Sequence, residues 1–354
     1  MLFRSQHSFI GGGYANTTND FGNNGSHNSI VGGSANAITW GTRWSTIGGG
    51  KNNTIDSTSD VNARLNQATI GGGYNNRIEA INGTYIDSPT ISGGENNQIS
   101  NALYGTIGGG YNNEIGPYCS SATIGGGRFN DITIADTAPT ISGGEQNKIQ
   151  GYSASATIGG GYYNKTTDAN SSTIVGGAYN RANHNYSIVG GLTARSRNTG
   201  AFYFANGAFS GFPNPFGPDN TGDAQAENVV WRLYEPNASN GVHYQLYIDG
   251  TSEQLVIPEN SVVCFTMNIQ VVTLASEEVG AACICATVKR TGNEASISFV
   301  GTVDRHTMED AGGFDCDVDL DTTTGAIYPF VQIPSNEGLK ATAYARITYM
   351  KYDT

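Results

Sequence analysis

The pattern Ser/Thr-Ile-x-Gly-Gly-x-x-Asn-x-Ile recurs along the first 200 residues and limits the available folds more than any other feature of the chain. Its first isoleucine occurs eleven times, at steps of 14 to 23 residues. These isoleucines are Ile10, Ile30, Ile47, Ile70, Ile91, Ile107, Ile124, Ile141, Ile158, Ile174 and Ile188. A unit this short cannot bury a core by itself, so its stability has to come from stacked neighbours. The repeat therefore predicts a parallel β-roll, or solenoid, of eleven short coils.

Three positions of the pattern are the candidate structural residues of this roll. Isoleucine is expected to point inward, and the glycine pair suits a turn with positive φ or a close approach of two backbones. Asparagine at one position of successive coils predicts a side-chain ladder at the second turn. The residues that represent these roles are Ile47, Ile70, Ile107, Ile124, Gly72, Gly73, Gly109, Gly110, Asn53, Asn76, Asn113 and Asn130.

The coils vary in length because extra residues, such as Asp56 to Arg64 and Ala80 to Asp87, are inserted at one corner. Eleven coils at about 4.8 Å each predict a rod on the order of 50 Å long. The glycine-rich, uncharged sides of such a rod are poor solvent surfaces. We therefore expect one side to pack against copies of the same chain around an axis, most simply as a homotrimer.

The net charge of −12 divides where the repeats end. Residues 1–200 hold 11 Lys and Arg against 11 Asp and Glu, whereas residues 201–354 hold 7 against 19. An acidic chain without a basic cluster argues against nucleic acid and anionic membrane surfaces as partners. The sequence contains no run of 18 apolar residues, so membrane insertion is not expected. The predicted domains are the β-roll (1–200), a Pro/Gly/aromatic neck or linker (201–227) and a C-terminal domain (228–354).

The C-terminal domain is predicted to be an antiparallel β-sandwich, similar to a jelly roll. Its β-rich runs are separated by Gly-Asn, Asp-Gly and Pro-Ser-Asn turns, which is typical of sandwiches. The predicted strands are Val229–Tyr234, Tyr244–Ile248, Ser261–Leu274, Ala281–Lys289, Ala295–Val303, Asp315–Leu320, Ala326–Ile333 and Ala341–Lys351.

Both regions resemble known families. The segments Ser187–Ser196 and Gly200–Gly207 resemble the head repeats of trimeric autotransporter adhesins and the related rolls of tail-fibre-type proteins, and this resemblance covers about residues 1–207. It implies a trimeric, left-handed parallel β-roll. The segments Leu255–Val263, Ser298–Val303 and Ala343–Tyr349 resemble the C-terminal β-domains of phage tail fibres and other virion surface proteins.

Two features favour the virion family over the adhesin family. A bacterial adhesin needs a secretion signal and an outer-membrane anchor, and the sequence shows neither an apolar h-region nor a barrel anchor. The five cysteines are an odd number, which fits folding in a reducing cytosol and predicts buried thiols. They are Cys119, Cys264, Cys283, Cys285 and Cys316.

The sequence therefore predicts a structural virion surface protein, assembled in the host cytoplasm. A trimeric tail fibre or tailspike that mediates host attachment is favoured, with other virion proteins and a host cell-surface glycan or protein receptor as partners. A capsid decoration protein stays open, because repeats that begin by residue 10 leave little room for an attachment domain. A glycan-depolymerising tailspike enzyme also stays open.

Aromatic residues are the main candidates for ligand contact. They recur four or five positions after the core isoleucine, at Tyr14, Tyr74, Tyr111, Phe129, Tyr162 and Tyr179. Stacking predicts an aromatic stripe that contains Tyr74, Tyr111 and Tyr162. These tyrosines either contact sugar rings or serve for packing, on their own neighbours or at the subunit interface, and packing is the preferred interpretation. The serine and threonine column before the isoleucines also suggests an ice-binding face, but threonine is simply a good strand residue.

Residues for catalysis or metal binding are scarce, so we expect no enzyme activity, metal or cofactor. Glu95 and Glu145 share one repeat position three coils apart, about 14 Å, and no other acid pair is recognised in the roll. The acidic run 315–321 is compatible with calcium, but it lacks the glycine and glutamate of an EF-hand loop. A solvated outer strand face is the favoured interpretation of this run.

Overall fold

A computed structural model describes residues 7–18, 27–39, 41–57, 64–81, 84–134, 136–206, 224–292, 296–309 and 312–351. Within these ranges the chain is all-β and contains no α-helix, as the sequence predicted. It divides into two compact units, Met1–Asn183 and His184–Thr354, which we call the solenoid unit and the antiparallel unit. No helix in the described part of the chain is long and apolar enough to cross a membrane.

The solenoid unit contains two parallel ladders, each with ten strands in the described residues. The first ladder contains the core isoleucine of each repeat and consists of Phe9–Ile10, Ser29–Ile30, Thr46–Ile47, Thr69–Ile70, Thr90–Ile91, Thr106–Ile107, Thr123–Ile124, Thr140–Ile141, Thr157–Ile158 and Thr173–Ala178. The second ladder consists of Thr17–Thr18, Ala37–Ile38, Thr54–Ser57, Arg77–Ala80, Gln98–Ser100, Glu114–Ile115, Asp131–Thr133, Lys148–Gln150, Lys165–Thr167 and Arg181–Ala182. This arrangement confirms the predicted parallel β-solenoid.

Short third strands occur at the corner where coil length varies. They form two further parallel groups, Thr42–Arg43 with Arg64–Asn66 and Tyr85–Asp87, and Cys119–Ser120 with Asp136–Thr137. Part of each predicted insertion, Asp56 to Arg64 and Ala80 to Asp87, lies outside the described residues. The described part of the second insertion contributes the strand Tyr85–Asp87.

The solenoid core consists of two columns of isoleucine, one from each ladder. Register is exact to the residue, so that Ile107 pairs with Ile124 in the first ladder and Ile115 pairs with Ile132 in the second. Ile47 and Ile70, like these four, are fully buried. Each strand is short because a residue in the left-handed conformation, such as Asn112 with φ 54°, turns the chain at the next corner. Burial of these columns is the main stabilising term for stacked coils.

The antiparallel unit begins at His184, just before the eleventh copy of the repeat. The eleventh copy of the repeat contributes Ile188–Leu192, which pairs in parallel with Phe202–Asn206. The next strand, Ala224–Glu235, pairs antiparallel with Phe202–Asn206. Residues 207–223, which include most of the predicted linker, lie outside the described residues.

Two antiparallel sheets make up the rest of this unit. In the larger sheet, Leu339–Lys351 lies between Ala224–Glu235 and Ser261–Thr273, and the order continues through Val279–Arg290 to Ile297–Phe299 and Asp304–Glu309. The smaller sheet consists of Tyr244–Gln245, Leu255–Val256, Asp315–Asp321 and Ala326–Gln332. Buried side chains alternate along the long strands, for example Val263, Phe265, Met267 and Ile269. The predicted antiparallel architecture is confirmed.

The cysteines correct one expectation. Cys119 and Cys316 are buried, but Cys264 and Cys285 are exposed and Cys283 is half-buried, so the prediction of buried thiols is wrong for these three. All three occupy the outward positions of alternating strands, where Cys264 and Cys285 lie opposite threonines and Cys283 lies opposite Asn268. In the described residues no group of histidine, cysteine, aspartate or glutamate is arranged to hold a metal ion.

Candidate functional site

The corner between the two ladders is built around the predicted asparagines. The buried Asn113 donates from Nδ2 to the carbonyl of Gly109 in its own coil at 3.0 Å and to that of Gly127 in the next coil at 2.9 Å. Its Oδ1 accepts the backbone N–H of Asn130 at 3.0 Å. Asn53 and Asn76 make equivalent hydrogen bonds. The ladder thus provides a donor for the carbonyl of Gly109 and a second donor for that of Gly127, which also accepts the backbone N–H of Tyr111.

The second glycine of each pair has no room for a side chain. Gly73 and Gly110 have φ of 94° and 95°, and a Cβ on either would lie 2.1 Å from the carbonyl oxygen of the corresponding glycine in the next coil. The first glycine differs. A Cβ added to Gly72 or Gly109 would have its nearest neighbouring atom 3.9 Å away, which is ordinary van der Waals contact.

One face of the solenoid unit is free of charge over all ten described turns. We call it the Thr–Gly face; it comprises the residue before each core isoleucine and the three residues after it. The columns before the isoleucine and directly after it contain Phe9, Ser29, Thr46, Thr69, Thr90, Thr106, Thr123, Thr140, Thr157 and Thr173, and Gly11, Val31, Gly48, Gly71, Ser92, Gly108, Gly125, Ser142, Gly159 and Val175. The other two columns are entirely glycine.

The edge next to the Thr–Gly face carries the predicted aromatic residues. The residues four positions after the core isoleucine form consecutive parallel bridges, and we call this column the aromatic edge. It runs Tyr14, Ser34, Lys51, Tyr74, Glu95, Tyr111, Arg128, Glu145, Tyr162 and Ala178. Tyr74, Tyr111 and Tyr162 retain 43%, 41% and 38% of their surface, so all three are open to a ligand in the single chain.

The aromatic residues of this edge do not form one continuous stripe. Tyr111 packs edge-to-face on Phe129 at 5.3 Å, and Tyr162 packs in the same way on Tyr179 at 5.3 Å. The salt bridge between Arg128 and Glu145, 2.7 Å long, separates the two groups. The predicted stripe is therefore interrupted, because polar residues occupy the same position in the intervening coils.

The outward side of the second ladder is charged, and we call it the charged face. In-register stacking places Glu114 beside Asp131. The Asp131 carboxylate forms an ion pair with Lys148, with 2.6 Å between Oδ2 and Nζ. Burial raises the pKa of Glu114, the neighbouring Asp131 carboxylate adds to the rise, and Lys148 opposes it. The expectation that the roll contains no other acid pair is therefore wrong. Glu114 and Asp131 are far apart in sequence but adjacent in register, which spacing alone did not reveal.

Two further aromatic groups were not recognised from the sequence. At the opposite corner, three positions before the core isoleucine, His7 stacks on His27 at 5.1 Å and His27 on Trp44 at 6.5 Å. A cleft of about 300 Å³ at the insertion corner is lined by Tyr85 and Tyr118, which are 51% and 73% exposed. Both groups lie outside the repeat motif, and only their common distance from the core isoleucine could have indicated the first.

In the antiparallel unit, the acidic run contributes an ion pair at the surface. Arg305 contacts Asp315 at 3.1 Å and Asp317 at 2.5 Å. Asp315, Asp317 and Asp319 alternate with the more buried Cys316 and Val318. This alternation agrees with the interpretation of the run as an outer strand face.

A buried polar network in the same unit was also missed. The fully buried Glu227 accepts hydrogen bonds from Asn198 Nδ2 at 2.9 Å and from the hydroxyl of Tyr349. Burial raises the pKa of Glu227, although the hydrogen bonds from Tyr203, Tyr349 and Asn198 lower it in part. The network joins the strands that contain Tyr203, Glu227 and Tyr349, which is a structural role.

No protein-family model matches the chain, and no curated protein does either. The similar solved structures include the tailspike protein of Acinetobacter phage vB_ApiP_P1, 7% identical over 96% of this chain and 80% of that chain, with a TM-score of 0.23. They also include the tailspike protein gp49 of Acinetobacter baumannii bacteriophage Fri1, a capsular polysaccharide depolymerase, 7% identical over 92% and 71% of the two chains, with a TM-score of 0.18. Both scores are low, and we assign the function of this chain from its own residues.

Proposed function

We propose that this chain is a homotrimeric virion surface protein of the tail-fibre or tailspike type, which attaches the particle to a glycan on the host surface. The observation that carries the proposal is the row of exposed tyrosines, Tyr74, Tyr111 and Tyr162, held on one edge of a rigid parallel solenoid. Tyrosine presents a flat apolar ring and a polar hydroxyl, a combination suited to stacking on sugar rings. Tyr74 and Tyr111 are two coils apart and Tyr111 and Tyr162 are three coils apart, about 10 and 14 Å, so one extended glycan can contact more than one of them.

Self-association is supported by the Thr–Gly face. At Gly93 and Gly143 the backbone is outside the left-handed region, and a Cβ added at either position would have its nearest neighbouring atom 4.0 Å away. Nothing in the described part of the single chain therefore requires glycine at these two positions. A second chain that packs closely on this face supplies the missing reason, and an uncharged face over ten turns is suited to such contact.

Sedimentation equilibrium tests this association. The full chain is expected at three times its own mass, and Gly143→Val is expected to sediment as a monomer with unchanged far-ultraviolet circular dichroism. Ser142→Thr, on the same face but at a position that already carries a side chain, serves as the matched control and is expected to remain trimeric. A monomeric wild-type protein overturns the trimer.

Cell binding tests the attachment function. Fluorescently labelled full-length protein is expected to bind some members of a panel of bacteria that differ in surface polysaccharide. The triple variant Tyr74→Ala, Tyr111→Ala and Tyr162→Ala should reduce binding at least tenfold. Substitution of the exposed Tyr234 of the antiparallel unit by alanine is the control. Binding that survives the triple variant would contradict a role of the aromatic edge.

A glycan-cleaving role is the second candidate, and the in-register acid pair supports it. Glu114 and Asp131 lie on neighbouring strands, about 4.8 Å apart at the backbone, which is compatible with the carboxylate spacing of about 5 Å in retaining glycosidases. The raised pKa of Glu114 suits a proton donor. Size-exclusion analysis of polysaccharide incubated with the wild type and with Glu114→Gln decides: shortened chains with the wild type alone support this role.

A further inference from the structure

Three tyrosines meet near the C-terminal end of the aromatic edge. The ring of Tyr163 lies 5.8 Å from that of Tyr162 and 5.5 Å from that of Tyr179. Tyr162 and Tyr163 retain 38% and 49% of their surface. The three rings therefore form a compact aromatic patch that is packed internally and open on its outer side.

Cationic side chains follow these tyrosines around the corner. Lys165 comes two residues after Tyr163, and Arg181 comes two residues after Tyr179, so each pair of Cα atoms lies within about 7 Å. Lys165 and Arg181 also pair in register on neighbouring strands of the charged face. The aromatic patch and the cations thus belong to the same two coils.

No carboxylate that the structure describes neutralises Lys165. Lys148, on the preceding strand, pairs with Asp131, but none of the described carboxylates is within ion-pair distance of Lys165. Like charges opposite one another on adjacent strands repel. Consistent with this, burial lowers the pKa of Lys165, and the nearby charges of Arg181 and Lys148 lower it further. An anionic ligand would remove this repulsion.

The solenoid unit contains an internal comparison. Three coils earlier, Tyr111 and Phe129 pack edge-to-face just as Tyr162 and Tyr179 do, but the charged face there carries Glu114 and Asp131. Aromatic packing at this corner therefore does not depend on neighbouring cations. The cations of the later coils need a separate explanation.

We propose that Tyr162, Tyr163 and Tyr179, together with Lys165 and Arg181, bind an acidic polysaccharide, with sugar rings on the tyrosines and sugar carboxylates at the two cations. This inference rests on the proposed attachment function and names the class of its ligand. A polysaccharide fits because it carries ring faces and anionic groups in the same repeating unit. Arginine and lysine bind such carboxylates by charge-assisted hydrogen bonds.

A nucleic acid fits this surface less well. It presents a phosphate at every nucleotide and is held by an extended positive track. Here the patch is bounded by carboxylates, because Glu145 precedes Tyr162 on the aromatic edge and Asp131 lies beyond Lys148 on the charged face. A short cationic site between acidic neighbours favours a ligand with spaced carboxylates.

Binding of the full chain to immobilised polysaccharides tests the site. Polygalacturonate is expected to bind, with an affinity that falls with added salt, and neutral dextran and single-stranded oligothymidylate are expected to bind at least tenfold more weakly. The double variant Lys165→Gln and Arg181→Gln should lose at least tenfold in affinity for polygalacturonate, and Tyr179→Ala should lose at least threefold. Stronger binding of oligothymidylate, or equal binding of dextran, overturns the proposal.

Two matched variants control for general effects of charge and aromaticity. Arg77 occupies the same strand position as Lys165 and pairs with Glu79 at 2.5 Å, so Arg77→Gln should leave the affinity unchanged. Phe129→Ala, beside the acidic pair, should also leave it unchanged. If either control loses as much affinity as the site variants, the assignment to this site is wrong.

The cell-binding experiment separates this inference from the attachment function. If the wild type and the Lys165→Gln, Arg181→Gln variant bind bacteria equally, attachment stands and the acidic site is wrong. If the wild type binds polygalacturonate through these residues but binds no member of the bacterial panel, the acidic site stands and the attachment function is wrong.

Discussion

The solenoid unit and the antiparallel unit are both built from β-strands, but they depend on very different strand pairings. In the solenoid unit Ile107 pairs with Ile124 of the next coil, so each contact is made with the nearest repeat. In the antiparallel unit Val229 pairs with Ala345, near the other end of that unit. The first arrangement spreads stability over equivalent neighbours, whereas the second concentrates it in long strands that must find distant partners.

This difference predicts how each unit responds to damage. A substitution that introduces a steric clash in one coil disrupts both ladders and the asparagine column at that coil, but its effect is confined to neighbouring coils. An error in the large antiparallel sheet affects a single cooperative core. The following substitutions test this contrast, beginning with the largest expected effect.

Gly110→Val should produce the largest loss. A Cβ at Gly110 would lie 2.1 Å from the carbonyl oxygen of Gly127, and the φ of 95° excludes valine as well. We expect a loss of about 4 kcal/mol or more in the unfolding free energy of the solenoid unit. Hydrogen exchange should rise in the coils on either side, while Ala224–Glu235 keeps its protection.

The matched control is Gly312→Val in the antiparallel unit. Gly312 is outside the left-handed region, and no described residue other than its chain neighbours has an atom within 4 Å of the place that a Cβ would occupy. We expect a change within about 0.5 kcal/mol. If Gly110→Val unfolds both units together in the exchange experiment, the two units do not respond separately, and the confinement of the effect to neighbouring coils is wrong.

Removal of one ladder asparagine should have the next largest effect. Asn113→Ala deletes the hydrogen bonds that Nδ2 donates to Asn97, Gly109 and Gly127. It also leaves the backbone N–H of Asn130 without its acceptor, so we expect a loss of about 2 to 4 kcal/mol in urea denaturation. Asn198→Ala in the antiparallel unit removes one donated side-chain hydrogen bond and should cost about half as much. Equal losses would show that the ladder adds nothing beyond single hydrogen bonds.

Gly110→Val and Asn113→Ala change positions at which sequence and structure agree best. Exact repetition predicts the inward isoleucines, the turn glycines and the asparagine ladder, because identical residues at a fixed position imply identical surroundings in every coil. The strand Asp304–Glu309 was not predicted, since all six of its residues are exposed and no alternation marks it. Its position comes from pairing with Val279–Arg290, a contact that a local pattern does not contain.

The candidate site shows the same limit. Tyr74, Tyr111 and Tyr162 were found because they share a repeat position. The Glu114–Asp131 pair was missed because its meaning depends on register between variable residues rather than on the repeat itself. Coil lengths of 14 to 23 residues conceal such neighbours until the core isoleucines are aligned. Outward residues of a solenoid are therefore best compared after this alignment.

Glu227→Gln tests the buried network of the antiparallel unit through pH. Because burial raises the pKa of Glu227 above its ordinary 4.5, the folded state favours the protonated form. Its contribution to stability is complete below the pKa of the unfolded chain and is lost as pH rises through the higher folded value. We therefore expect the variant to gain stability relative to the wild type as pH rises above the ordinary pKa of 4.5.

Urea denaturation of both proteins over this rise in pH gives the difference directly. Other carboxylates of this unit have the opposite dependence; hydrogen bonds from Ser335, Ser276 and Ala275 lower the pKa of Glu337 to about 2, for example. Their contribution is common to both proteins and cancels in the difference. A difference that does not change with pH would show that Glu227 does not have a raised pKa.

Thr166→Val should have the smallest effect and, unlike the others, should stabilise the solenoid unit. Thr166 is fully buried in the second isoleucine column, where it pairs with Ile149, and its hydroxyl has no hydrogen-bond partner. Replacing an unsatisfied buried hydroxyl by a methyl group should add about 1 kcal/mol, measured by thermal unfolding. Thr167→Val, at the adjacent outward position, is the control and should change stability by less than about 0.5 kcal/mol.

In a repeat, such a defect is recognised by comparison with the equivalent residues of neighbouring coils. The unpaired indole N–H of Trp231 in the antiparallel unit has no equivalent position from which a better residue can be inferred. A loss of stability in Thr166→Val would contradict the claim that the unsatisfied hydroxyl of Thr166 destabilises the solenoid unit.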